Sequence, residues 1–271
     1  MIKAVAHMAD IHIRTFRMHN EYQQQFELTY NSLNEKFKDY DYNERRIVIA
    51  GDLFHQKITI SNELTLLSTR FLSSLSEIAP VVIIAGNHDL LENNKDRLDS
   101  ITPIVDLLNN KNITYYKGNS DCYLDENVVW CIYSIFDENR RPNIEKAKID
   151  FGEDKNYIGL YHAPIVGAKT DLGYEFDYGT TLDEFEGLDI CMAGDIHLRQ
   201  GWNHKGTKIY FPGSLIQQNY GEKINGHGYL FWNIENKEFT EVDIENENAF
   251  YQFVINSVDD IDNNKEVLTN K

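Results

Sequence analysis

The sequence predicts an α/β fold, a mainly parallel sheet covered by helices, and three observations carry that reading. Five short apolar runs, residues 4–9, 46–50, 81–85, 157–161 and 188–193, each have the length of a buried strand and each lead into a polar cluster. Between them lie segments of helical spacing. Tyr22, Phe26, Tyr30, Leu33 and Phe37 share one face, and Leu64, Leu67, Phe71 and Leu75 share another behind Ser61, whose hydroxyl suits an N-cap. Strand alternating with helix is the pattern of parallel pairing. After Gly201 the texture changes to short strands with turn residues, 208–211, 228–234 and 238–244, which predicts a second, partly antiparallel sheet. From about Ala249 the chain turns polar and acidic. The expected organisation is therefore a core domain over 1–248 and, over 249–271, a linker or the start of a capping module.

Composition narrows the class. Hydrophobic residues at 42% and charged residues at 25% are ordinary for a globular protein, which excludes disordered and fibrous classes. The N-terminal apolar stretch is short and broken by His7, and no run is long enough to span a bilayer, so no membrane role is expected. Cys122, Cys131 and Cys191 lack paired metal-type spacing and read as reduced strand residues of a cytoplasmic protein. The formal net charge of −17 opposes sequence-independent binding to nucleic acid. A DNA-acting protein of this charge needs bound cations, a local basic strip or a partner.

The chemistry lies where the apolar runs end, because open α/β sheets bind ligands at the carboxyl ends of their strands. There the chain carries Asp10-x-His12, Gly51-Asp52-Leu53-Phe54-His55, Gly86-Asn87-His88-Asp89, His162-Ala163-Pro164 and Gly194-Asp195-Ile196-His197. Any one of these recurs by chance, and a lone histidine is more often packed or solvated than a ligand. Five in order after five strand-like runs point to a metal site. Oxygen and imidazole donors without thiolate suit manganese, magnesium, iron or zinc, and the carboxylates favour the harder ions. The seven candidate ligands, Asp10, His12, Asp52, Asn87, His162, Asp195 and His197, exceed what one ion needs. Two ions ~3.5–4 Å apart are the usual device for hydrolysing phosphate esters.

With these motifs the chain resembles the calcineurin-like metallophosphoesterase superfamily, and within it the SbcD-type nuclease subunit of DNA double-strand-break repair, including phage relatives. The five clusters match in order over residues 10 to 197. Tyr210-Phe211-Pro212-Gly213-Ser214 and Gly226-His227-Gly228-Tyr229 extend the nuclease-like resemblance to about residue 234. The resemblance implies a four-layer α/β/β/α sandwich of two mixed sheets. It implies two divalent ions, manganese foremost, with Asp10, His12, Asp52 and His197 on one, Asp52, Asn87, His162 and Asp195 on the other, and Asp52 bridging. His88 resembles the proton donor, and Asp89 the carboxylate that orients it. His55 stands where the nuclease branch approaches the scissile phosphate, with a hydrogen bond holding a ligand as the alternative. The implied partners are DNA, an SMC-like coiled-coil ATPase of the SbcC type, and a second copy in a homodimer. One departure is Gly194-Asp195-Ile196-His197 where the superfamily usually has Gly-His-x-His; aspartate also ligates, and lowers the site's charge by one.

The remaining candidates read as structure. His7 falls inside the first strand, and His19, His204 and His227 lack ligand-type neighbours. Trp130, Trp202 and Trp232 are more often buried than stacked on bases. Lys169, Arg199 and Lys205 flank the last two motifs, where a phosphate path competes with plain solvation. Two other functions stay open at this point, a phosphatase or cyclic-nucleotide phosphodiesterase on the same scaffold, and a non-catalytic scaffold protein.

Overall fold

In the computed structural model, which describes residues 1–137 and 139–263, two six-stranded mixed sheets pack face to face between layers of helix and loop. The end of the expected 249–271 tail, from residue 264, lies outside the described residues. The first sheet is built on β1 (Ala4–Met8), β2 (Arg45–Ala50), β3 (Val81–Ile84) and β4 (Ile113–Tyr115), all parallel, and is completed by β11 (Gly228–Asn233) and β12 (Glu238–Asp243), each antiparallel to its neighbour. The second has a parallel centre of β6 (Val128–Tyr133), β7 (Asn156–His162), β8 (Ile190–Gly194) and β10 (Thr207–Phe211). Antiparallel edges β5 (Cys122–Asp125) and β9 (Gln200–His204) flank it.

Two mixed sheets are as the resemblance implies, but their strands are not shared out as the local pattern suggested. The five motif-bearing runs do not share a sheet, since β1, β2 and β3 lie in one and β7 and β8 in the other. Nor do the strands after Gly201 form a sheet of their own. β10 adds in parallel beside β8 while β11 adds antiparallel beside β1, so the late strands finish both sheets. Pairing of this kind depends on which free edge a distant strand meets, and local patterning does not encode it.

Alternation along the strands separates three cores. On the outer face of the first sheet, Ala4, Ala6 and Met8 pack with Phe26, Phe37, Phe71 and Leu75 of α1 (His19–Phe37) and α2 (Asn62–Ile78), and with α3 (Ile101–Leu108). The periodic face expected for α1 is buried except at Tyr30, which is partly buried, and Ser61 does cap α2, accepting from Leu64 N at 3.2 Å. Between the sheets, Val5, Val48, Ile84, Trp130, Leu160, Met192 and Trp232 form a continuous apolar layer. The far face of the second sheet is covered more thinly, by α4 (Ile144–Phe151) and the loop carrying Ile165 and Phe185. Among the described residues no helix is long and apolar enough to cross a membrane.

Polar ties pin the layers. Arg46 of β2 makes a bidentate contact with Asp125 of β5 at 2.7 and 2.8 Å, and Trp130 Nε1 donates to the same carboxylate. His7, on the inner face of β1, is fully buried and reaches the Ala193 carbonyl of β8 at 3.2 Å, while its Nδ1 has no partner. Burial pushes the His7 imidazole down to about 3. The folded state thus holds it neutral while the unfolded chain protonates near its ordinary value of 6.5. Stability tied to this residue is complete above that value and is lost as pH falls towards 3. Metal-free His7→Leu protein should therefore lose about 2–3 kcal/mol less than wild type between about pH 7 and about pH 4.5. Urea unfolding at the two pH values measures this, and parallel losses would remove His7 as the source.

Candidate metal centre

The loops that follow β1 and β2 continue the strand ladder into the site. Asp10 N donates to Gly51 O, Ile11 and His12 N to Asp52 O, and Ile13 N to Leu53 O. Four of the candidate residues sit in left-handed backbone despite carrying side chains: Asp10 at φ 53°, His12 at 50°, Asp52 at 55° and Asp195 at 100°. Such conformations cost ~1–3 kcal/mol each and persist where surrounding structure enforces them. Close approach is enforced too. At Gly86 a Cβ would collide with Asp52 Oδ1 and the His162 ring, and at Gly51 it would enter the same ring.

All seven side chains proposed from sequence as ligands converge. His12 Nε2 lies 3.0 Å from His197 Nε2, 3.4 Å from Asp52 Oδ2 and 4.0 Å from Asp10 Oδ1. His162 Nε2 lies 3.3 Å from Asp52 Oδ1, 3.2 Å from Asn87 Oδ1 and 3.8 Å from Asp195 Oδ1. Asp52 therefore turns one oxygen to each group. The outer nitrogens settle the inner ones. His162 Nδ1 donates to the Ala50 carbonyl at 2.7 Å and His197 Nδ1 to the Glu222 carboxylate at 2.8 Å, since neither partner can donate. In the neutral rings both Nε2 atoms then present lone pairs, to each other's neighbours and to carboxylate oxygens. Acceptors facing acceptors in a buried site repel unless cations lie among them, and oxygen with imidazole nitrogen is a donor set for divalent metals.

Proton affinities express the same demand. Burial pushes Asp10 up to about 7 and raises Asp195. Burial would lower both His197 and His162. The hydrogen bond to Glu222 and the charge of Asp10 nevertheless hold His197 at about 9, and Asp52 holds His162 well above the ordinary range. Burial would raise Asp52, but the charge and hydrogen bond of His162 keep it below the usual carboxylate range.

His55, His88 and Asp89 occupy distinct places. His88 sits in the same cavity of about 550 Å³ as His12, Asp52 and His55. Its Nδ1 donates to the His55 carbonyl at 2.8 Å, and its backbone N–H donates to Asp52 Oδ1 at 2.8 Å. The orienting partner is thus a carbonyl, not Asp89, which corrects the expected pairing. The Asp89 carboxylate is fully buried on the other side of the turn and accepts from the backbone N–H groups of Gly86, Leu53 and Phe54 at 2.8, 3.3 and 2.9 Å. It clamps the loop of Asp52 to the loop of Asn87. His55 Nε2 accepts from Arg14 Nη1 at 3.1 Å, and burial with the charges of Arg14 and His88 pushes it down to about 4. His55 is therefore a neutral ring with its proton on Nδ1. His12, His55 and His88 do cluster, but the Arg14 guanidinium beside them disfavours a further cation there.

Three contributors had no signal in the sequence. Arg14 is buried against Gln218, donating to its carbonyl at 2.8 Å, and with exposed Arg17 it lines the His88 cavity. Lys169, Arg199 and Lys205, for which a phosphate path competed with plain solvation, are paired with Glu175, with Glu241 and Asp243, and with Asp183 and Glu186. Glu222 orients His197 and is itself held by Gln218 N and Asn219 Nδ2 at 2.7 and 2.8 Å. The Pro212-Gly213-Ser214 segment backs this loop, with Ser214 N donating to His197 O at 3.1 Å and Ser214 Oγ 2.9 Å from the buried His227 ring. His19 and His204 contact Arg14 O and Asp183, away from the ligand groups.

Two converging acceptor clusters at the carboxyl ends of strands from two stacked sheets define a metallophosphoesterase. The family model for calcineurin-like phosphoesterases matches residues 3–199, and the chain belongs to that family, whose members bind divalent metals. Protein R555 of Acanthamoeba polyphaga mimivirus, itself uncharacterized, is 36% identical over 254 residues, 92% of this chain and 18% of R555. The DNA double-strand break repair protein Mre11 of Archaeoglobus fulgidus is 24% identical over 226 residues, 78% of this chain and 49% of Mre11. The SbcD nuclease protein of Staphylococcus saprophyticus, a component of SbcCD, is 27% identical over 218 residues, 72% of this chain and 56% of that protein. The chain thus spans about half the length of the latter two and under a fifth of the first.

If Glu222 fixes the His197 tautomer, Glu222→Gln should weaken divalent-metal binding by ~10–100-fold, the usual effect of losing a carboxylate behind a metal-binding imidazole. Calorimetric titration of the metal-free protein measures it. Unaltered binding would show that Glu222 supports the loop alone.

Proposed function

We propose that the chain is a two-metal phosphodiesterase that cuts DNA. The observation that carries the two-metal reading is Asp52, whose two carboxylate oxygens face separate acceptor clusters. Asp10, His12, Asp52 and His197 would hold one ion and Asp52, Asn87, His162 and Asp195 the other. The oxygen-rich set favours manganese among the divalent ions. Bound there, the pair supplies Lewis-acid polarisation of a phosphate and activation of water.

The protein's own groups do the rest. His88, anchored through Nδ1, directs Nε2 as a proton donor to the leaving oxygen. His55, held neutral by burial and by Arg14, lines the cavity in which the substrate phosphate would lie. Asp89 keeps the Asp52 and Asn87 loops in register. DNA as substrate is supported by the likeness to proteins named as a DNA-repair protein and a nuclease, and by Arg14 and Arg17 beside the site. With a net charge of −17 the chain would draw most of its DNA affinity from a partner, an SMC-like coiled-coil ATPase of the SbcC type, and would act as a homodimer.

Manganese-dependent digestion of end-labelled duplex and single-stranded DNA, beside a small chromogenic diester, tests the reading. Turnover of the diester with intact DNA would favour a small-substrate phosphatase or cyclic-nucleotide phosphodiesterase, and no turnover of either would favour a scaffold. Within an active enzyme, His88→Ala should keep both ions and slow DNA cleavage by ~10²–10⁴-fold, the contribution of a general acid. A nitrophenolate leaving group, which needs no proton, should be affected far less. Equal losses on both substrates would return His88 to a structural role.

A further inference from the structure

Beside the cavity that holds His88, a second one of about 620 Å³ opens on the His162 side, with Asn87, His162 and Asp195 in its lining. Four aromatic rings stand in its walls, among polar residues that include Glu92, Ser134 and Arg141. Tyr133 and Tyr161 stand edge to face, 6.0 Å apart at 88°, each only 6% exposed and each anchored by its hydroxyl, Tyr133 to Glu184 O at 3.0 Å and Tyr161 to Pro164 O at 3.2 Å. Opposite them in sequence, the loop between β7 and β8 contributes Phe176 and Tyr178, with Phe176 also lining a smaller cavity beside Asp195 and His197.

That loop is built rather than loose. Gly167 N donates to Phe176 O at 2.8 Å, Phe176 N to Ala168 O at 2.8 Å and Thr180 N to Pro164 O at 3.1 Å. Tyr174, Phe176 and Tyr178 form a ladder of rings 5.1 and 5.4 Å apart, and Tyr178 is 54% exposed. Exposed Tyr174 and Tyr178, braced on the hydrogen-bonded loop by a Phe176 that packs against the core, suit a flat, weakly hydrated ligand beside a phosphate-ester site. The charged residues at the lining, Arg141 and Glu92, are each paired, with Glu184 and Lys57, so the rings rather than net charge distinguish this cavity.

Resting on the phosphodiesterase reading above, we propose that this cavity takes the nucleobase of the nucleotide that keeps the scissile phosphate, stacked on the exposed Tyr178 ring with Phe176 against its edge. The leaving oxygen faces His88 in the first cavity, so the ester substituent that is not expelled is left with the second. A base can enter only when it is out of a duplex stack, so the site selects single strands and frayed ends. Stacking also gives an acidic protein an affinity that needs no basic surface.

The test compares two esters with one leaving group, thymidine p-nitrophenyl phosphate, as both 5′ and 3′ isomers, and methyl p-nitrophenyl phosphate, on the manganese-loaded full chain. One thymidine isomer should be preferred over the methyl ester, and Tyr178→Ala or Phe176→Ala should cut that preference by ~5–150-fold, the range for loss of a base-stacking ring. Tyr178→Phe should retain it. In parallel, calorimetry should show thymidine monophosphate binding more tightly than deoxyribose 5-phosphate, and Tyr178→Ala should abolish the difference. Turnover of the methyl ester without any thymidine preference overturns the base site and leaves the phosphodiesterase reading intact. If no ester is turned over, that reading falls, and equal binding of the two phosphates then overturns the base site as well.

Discussion

Everything at the catalytic end of this molecule depends on one electrostatic constraint: a buried cluster composed of acceptors. Asp10 and Asp52 are almost completely enclosed, and the imidazoles of His162 and His197 have their donating nitrogens turned outward to Ala50 O and Glu222. What remains pointing inward is mostly lone pairs and negative charge, against which the backbone N–H groups of His88 and Asp195 donate to Asp52 and Asp10. In a low-dielectric interior such a group is costly unless cations neutralise it. The raised proton affinity of Asp10 and His197 is the same imbalance seen with protons standing in for metal.

The fold holds this cluster together by making the site a seam between its two sheets. β1, β2 and β3 bring Asp10, His12, Asp52 and Asn87 from one side, and β7 and β8 bring His162, Asp195 and His197 from the other. The apolar layer between the sheets, from Val5 to Trp232, fixes their separation, and close packing leaves it little freedom. Local strain is then tolerable. Left-handed backbone at four acidic and histidine positions and a carboxylate, Asp89, spent on backbone amides would unravel in an isolated loop. Here they are over-determined by strands that cannot move apart.

The site is asymmetric in a chemically useful way. On the His12 side the lining is cationic and imidazole-rich, with Arg14, Arg17, His55 and His88, and on the His162 side it is aromatic. On the proposed reading, charge near the phosphate and ring faces for what is attached to it would be complementary solutions for a protein whose net charge of −17 repels polyanions. The lysines and arginine that flank the later motifs do not contribute, because neighbouring carboxylates neutralise them.

Much of the chemistry was legible in the sequence because ligand motifs are local. A strand that ends at a turn must place its next few residues at the sheet's edge, so Asp10-x-His12, Gly51-Asp52, Gly86-Asn87, His162 and Gly194-Asp195-x-His197 could be read one by one. Helices α1 and α2 followed from periodicity, and the Ser61 cap from its residue type. β6 escaped notice because an apolar strand with no ligand cluster after it carries only packing information. Adjacency misled at Asp89: it follows His88 in the chain, yet neighbouring residues on a turn point apart, and the fold sent its carboxylate inward. Arg14 meets Gln218 across 204 positions and Glu222 meets His197 across 25, separations at which no pattern survives. The sequence by itself determined which acidic and imidazole residues follow the strand ends and so gather at one place. Only the tertiary structure decided which sheet each strand joined, which charges stayed unneutralised and which rings faced the site, because those depend on pairing between distant segments that local preference does not specify.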